Sequence, residues 1–183
     1  RNMESILKLN ELKKVELPAE LIIYFQKMDG FDPLKESKLD IPNEIAYGMV
    51  AMNLMQSYST SIDFAGFDSE DNTYWPLGFV PILSNYGGDY VVVNCIKESP
   101  TYGAVYDFTE GVGVNLLAYN LSHFLESSTK ELTSGFRIFK HDDEDYEFQS
   151  ITVKGFDEQS DIYGNTPYFQ RKGKMDTQIV DWN

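Results

Sequence analysis

Trp75-Pro76-Leu77-Gly78-Phe79-Val80-Pro81-Ile82-Leu83-Ser84-Asn85-Tyr86-Gly87-Gly88-Asp89-Tyr90-Val91-Val92-Val93-Asn94-Cys95-Ile96 decides the fold class. Its two ends are short apolar runs, and the second is dense in β-branched residues that suit a pleated sheet. Between them lies Ser84–Asp89, a turn cluster whose paired glycines supply the positive φ angles of a hairpin loop. Pro76 and Pro81 suit an edge or a first strand better than a central one, because proline cannot donate to the ladder. After Pro100, Gly103-Ala104-Val105-Tyr106-Asp107-Phe108 alternates small or polar with apolar residues, as a half-buried strand does. Three consecutive strands with short connections imply an antiparallel meander.

Helical signals flank this meander. Leu17-Pro18-Ala19-Glu20 opens a helix in which Leu21, Tyr24, Phe25 and Met28 fall at i, i+3, i+4 and i+7, with Gly30 at the expected C-terminal left-handed position. Ile6, Leu9 and Leu12 place a short amphipathic helix before it, over residues 4–15. Met49, Met52, Asn53 and Gln56 favour a helix from Val50 to Tyr58, with the methionines as core filler. Asn120-Leu121-Ser122-His123-Phe124-Leu125 reads as a helix start capped by Asn120 or Ser122. Gly135–Lys140 fits either a strand or a helix end, residues 141–147 are a charge run, and 155–183 form an aromatic tail expected to pack back on the domain. Helices at both ends and strands in the middle spell α+β, with a central antiparallel sheet of about four to six strands.

The chain has 183 residues, enough for one domain burying about 70% of its unfolded surface. Its net charge is −14, which excludes the basic footprint that phosphate binding requires. The imbalance is concentrated: residues 41–126 hold Lys97 against ten acids, a net of −9. Direct binding of nucleic acid or an anionic membrane is therefore not expected, whereas a basic protein partner is favoured by the complementary field. A lone cysteine, Cys95, forms no internal disulfide and sits in an apolar run as a small hydrophobe. No apolar stretch reaches about 18 residues and no export signal stands at the start. A cytoplasmic protein is the expectation.

No catalytic pattern stands out. Phosphate-loop, His-Glu-x-x-His and Cys-x-x-Cys motifs are missing, and Gly111-Val112-Gly113 lacks the third glycine of a dinucleotide fingerprint. His141 before Asp142-Asp143-Glu144-Asp145 lacks the glycine and alternation of a calcium loop. The chain is expected to be no enzyme and to hold neither metal nor cofactor. What remains is an acidic and aromatic constellation beside the first two strands: Asp68, Glu70, Asp71, Tyr74, Trp75, Tyr86 and Asp89. Tyr and Trp are common interface anchors and acids a steering rim, although Trp75 suits the core equally well.

The order of these motifs resembles the SUKH superfamily, which takes in fungal cell-wall-synthesis regulators and many bacterial immunity proteins. The resemblance is carried by Leu17-Pro18-Ala19-Glu20-Leu21 running into Phe25 and Asp29-Gly30, by Trp75 followed by Val80-Pro81-Ile82, and by Gly87-Gly88-Asp89. Gly103-Ala104-Val105-Tyr106 and Ser122-His123-Phe124-Leu125 complete it. It spans roughly residues 17–126 of a single domain, with 127–183 as an extension packed on it. The segment 31–74 is long and methionine-rich for that family. The resemblance implies helices packed around an antiparallel sheet and an immunity protein that blocks a toxin domain, often a nuclease, with no catalytic residue to transfer. A regulatory scaffold of the cell-wall-synthesis-regulator type is the alternative, against which the lack of low-complexity flanks counts. A monomer is the expected state.

Overall fold

The computed structural model describes residues 15–28, 44–46, 48–65, 78–109, 113–135, 137–142 and 147–152. Expectations for the helix over 4–15, for Gly30, for the acids and aromatics between 68 and 75, for residues 143–146 and for the tail from 155 fall outside them. Within them, the chain runs α1 (Ala19–Lys27), β1 (Glu44–Ala46), β2 (Met49–Ala51), α2 (Leu54–Ala65), β3 (Phe79–Ser84), β4 (Tyr90–Asn94), β5 (Val105–Thr109), β6 (Gly113–Ala118), α3 (Leu121–Thr133), β7 (Arg137–Asp142) and β8 (Glu147–Thr152). The first six strands form one antiparallel sheet in chain order, and β7 and β8 form a separate two-stranded sheet. The α+β expectation holds.

Alternation along the central strands divides the side chains into two apolar clusters. Val91, Val93 and Val105 join Leu21, Tyr24 and Phe25 of α1, Leu54 of α2, and Leu121 and Phe124 of α3. Their alternates Val92, Tyr106 and Phe108 join Phe79, Val114 and Leu116 on the opposite face. The helices thus pack on one face, and the other is buried as well. Strands buried on both faces carry near-continuous apolar runs, which is why β3 and β4 show so little polar alternation.

α1 begins directly after Pro18, whose carbonyl accepts from the N–H groups of Leu21 and Ile22. It ends at Lys27, short of the position expected from Gly30, because Met28 turns extended at φ −103° while still donating to the Tyr24 carbonyl. The helix expected from Val50 to Tyr58 needs correction at its start: Met49–Ala51 is strand, and the helix starts at Leu54. The reason is a reciprocal cap. Asn53 Oδ1 accepts from the Gln56 N–H, and Gln56 Oε1 accepts from the Asn53 N–H, which satisfies two otherwise orphaned donors. Met49 and Met52 are buried as core filler, but Met55 is exposed. At α3 the cap is Asn120, whose Oδ1 accepts from the His123 N–H at 2.8 Å. Glu20 Oε2 accepts from the Ser122 N–H, so a side chain of α1 also serves the start of α3.

β3 is a second correction. It lies between β2 and β4, an interior strand despite Pro81. The register shifts between Pro81 and Leu83, a local irregularity that accommodates a residue with no N–H to donate. β6 carries no expectation from the sequence, since Val114, Leu116, Leu117 and Ala118 divide between the two clusters without simple alternation. Gly78 is fixed by contact: at φ +116°, a Cβ there would stand 2.6 Å from Ile96 Cγ1.

Candidate functional site: one end of the sheet

Antiparallel register places two turns at the same end of the sheet. Val50 pairs with Ser84, so the β1–β2 turn at Gly48 lies beside the β3–β4 loop of residues 85–89. The β5–β6 connection leaves from that end too, since Thr109 pairs with Gly113. The six strands and the β3–β4 loop contain Glu44, Asp89 and Asp107 and no lysine or arginine. The opposite end differs: there Lys97 forms an exposed ion pair with Glu16, which raises the Lys97 pKa through the hydrogen bond first and the charge second.

The β3–β4 loop is organised by Asn85. Its Oδ1 accepts from the N–H groups of Gly87, at 2.7 Å, and Asp89, at 3.1 Å. Its Nδ2 donates to Asp89 Oδ2 at 2.6 Å. Ser84 Oγ accepts from the Tyr86 N–H at 2.9 Å, and the Asn85 N–H donates to the Asp89 carbonyl. An Asx-type network of this kind replaces backbone ladder bonds where the chain reverses. The positive φ angles fall on Tyr86 (φ +59°) and Gly88 (φ +99°), so only one of the two paired glycines plays the part expected of it. A non-glycine residue in that region costs about 1–2 kcal/mol. The cost is accepted at a residue that is 61% exposed.

Asp89 and Asp107 lie on the helix-packed face, because Asp107 pairs in register with Val91 and shares its side of the sheet. Burial, and secondarily the charge of Asp89, push the Asp107 carboxyl up to about 6. The sign follows from linkage. The folded protein holds this proton more tightly than the unfolded chain, whose aspartate titrates near 3.8. The stabilising contribution is complete below pH 4 and is lost as the pH rises through 6, a change of up to about 3 kcal/mol. Asp107→Asn is therefore expected to flatten the stability profile between pH 4 and 7 and to raise stability at pH 7. Urea denaturation at each pH measures both, and an unchanged slope would rule out the buried acid as its source.

Of the seven site residues expected from the sequence, Tyr86 and Asp89 come together on this loop. Asp68, Glu70, Asp71, Tyr74 and Trp75 lie outside the described residues. Asn85 and Asp107 are additions. The signal for Asp107 was present, a single acid inside the apolar run Val105–Phe108. Cys95 is buried, and burial pushes its thiol well above the ordinary range, consistent with a packed hydrophobe. Among the described residues no group of His, Cys, Asp and Glu has metal-binding geometry, and no helix is long and apolar enough to cross a membrane.

Comparison with curated proteins finds no match. The SMI1 / KNR4 family (SUKH-1) matches residues 2–127, about two thirds of the chain and the whole of the six-stranded sheet. The helix–meander–helix order, with the Gly-Gly-Asp turn between β3 and β4, is the frame on which the SUKH resemblance rested. The chain belongs to the SMI1 / KNR4 family (SUKH-1).

Proposed function

We propose that this chain is an immunity protein that binds a basic toxin domain, a nuclease in the simplest case, and neutralises it by contact rather than by catalysis. The observation that carries the reading is Tyr86, an exposed aromatic held on a pre-organised loop beside Asp89 and Asp107. Aromatic anchors dominate interface energetics when the loop that carries them is already ordered, because little entropy is lost on binding. The surrounding charge supports the same partner: with a net of −9 over residues 41–126, carboxylates can occupy a surface that otherwise receives phosphates. Family membership agrees with an immunity role and equally with a regulatory one.

The test is co-expression with the C-terminal domain of whichever large secreted protein a neighbouring gene encodes. Growth arrest by the domain alone, rescue by this chain, and co-elution at a one-to-one ratio on size exclusion are the expected results. A harmless or non-binding neighbour would favour the regulatory-scaffold reading. Loss of protection on neutralising one acid, with turnover of any substrate, would point to an enzyme instead.

A further inference from the structure

β6 is an edge of the six-stranded sheet, and the direction of its backbone groups can be followed across the ladder. Asn94 donates its N–H to the Ala104 carbonyl and accepts from the Gly103 N–H, so both its groups face the β5 side. Backbone groups alternate along a strand. Val92 and Tyr90 therefore face β5 too, and their register partners Tyr106 and Phe108 face β4. Asp107 and Thr109 then face β6, where they exchange bonds with Asn115 and Gly113. Val114 and Leu116 are left with N–H and C=O turned away from the sheet. Their side chains pack into the second cluster, and each residue keeps 6% exposure. Among the described residues, none pairs with those outward backbone groups.

The two edges are unlike. β1 is three residues long and its register against β2 is irregular, devices that blunt an edge against further pairing. β6 reads Gly113-Val114-Asn115-Leu116-Leu117-Ala118, with neither proline nor charge. Its register is regular from Gly113 to Leu116 and shifts only beyond them. Such an edge is a template for another strand: main-chain bonds supply affinity, and the rows of alternate side chains supply specificity. Here one row is acidic. Asn115 stands opposite Asp107, and Asp89 lies one diagonal further on the same face. No lysine or arginine of the six strands or the β3–β4 loop balances these carboxylates. A strand laid on β6 would set a residue beside Asn115, about 10 Å from Asp107, two strand spacings away. A lysine or arginine side chain spans that gap.

We infer that β6 receives an extended basic segment of the toxin domain as an added strand, continuous with the contact at Tyr86 and Asp89. The inference rests on the immunity reading and assigns its partner a conformation. Hydrogen exchange tests it on the full chain, alone and saturated with the candidate toxin domain from the co-expression test. In the free chain the Val114 and Leu116 amides should exchange at least about tenfold faster than that of Asn115, which is already bonded to β5. In the complex both should slow by about a hundredfold. Val114→Pro removes one outward N–H without touching a bond to β5, and is expected to weaken binding about tenfold. Should V114P fail to fold, Asn115→Lys places a cation in the acidic row and is expected to weaken binding by a similar factor. Tight binding with both amides unslowed, or undiminished in the variants, would overturn the inference and leave the immunity reading standing. No binding by the unmodified chain would overturn both. Protection of both amides in the chain alone would also overturn the inference. Were it to grow with concentration, the edge would pair with a second copy; were it constant, the chain would cover its own edge.

Discussion

Tyr86→Ala is expected to weaken binding of the toxin domain by about 30-fold or more, the loss of roughly 2 kcal/mol that marks an aromatic anchor. The expectation rests on exposure and order together. The residue is 61% exposed, so removal of its ring leaves no cavity. Its backbone is held by Ser84 and by the Asn85 network, so the loop keeps its shape without the ring. Thermal stability should therefore stay unchanged. Tyr86→Gly sharpens the test, since it removes the same ring and also relieves the positive φ. This variant should bind as weakly as the alanine variant and be more stable by about 1 kcal/mol. Titration calorimetry and urea denaturation separate the two effects. Equal affinity of all three chains would remove Tyr86 from the interface.

Tyr106→Ala carries the largest expected loss of stability, about 4 kcal/mol. Tyr106 is almost fully buried in β5, opposite Val92 and Leu116 in register neighbourhood, and its ring meets Phe79 edge-on at a centroid distance of 5.5 Å. Truncation removes the transfer free energy of the ring and leaves a cavity that two β-sheet neighbours cannot close. A domain of ordinary stability has roughly 5–15 kcal/mol in all, so the variant would sit near its folding threshold. The urea midpoint should fall with the slope preserved. A loss below about 1 kcal/mol would mean that the sheet face away from the helices is no true core.

How much of this was legible in the sequence depends on how local the deciding interaction is. The β3–β4 hairpin was readable because Ser84–Asp89 encodes its own turn chemistry and Tyr90–Asn94 its own strand propensity. The start of α3 was readable from Asn120 for the same reason. α2 starts later than the helix expected from Val50, because the Asn53–Gln56 cap and not the helix propensity around Met52 sets its first turn, a signal present in the sequence. Pro81 misled for a different reason: its tolerance inside the sheet depends on a register shift against β4, a property of two strands and not of one. At the candidate site, Tyr86 and Asp89 were visible as turn residues, but Asp107 gained its significance from pairing across the ladder with Val91. No spacing rule within β5 reveals that neighbour.

The measurement that bears most directly on the immunity reading is a titration of the purified chain with the candidate toxin domain from the co-expression test, repeated from low to high salt. Tight one-to-one binding is expected, with an affinity that falls by about tenfold or more as exposed charges are screened. Absence of binding would contradict the immunity reading itself. Tight binding indifferent to salt would leave the partner in place and contradict the role given to the acidic segment that surrounds Tyr86 and Asp89.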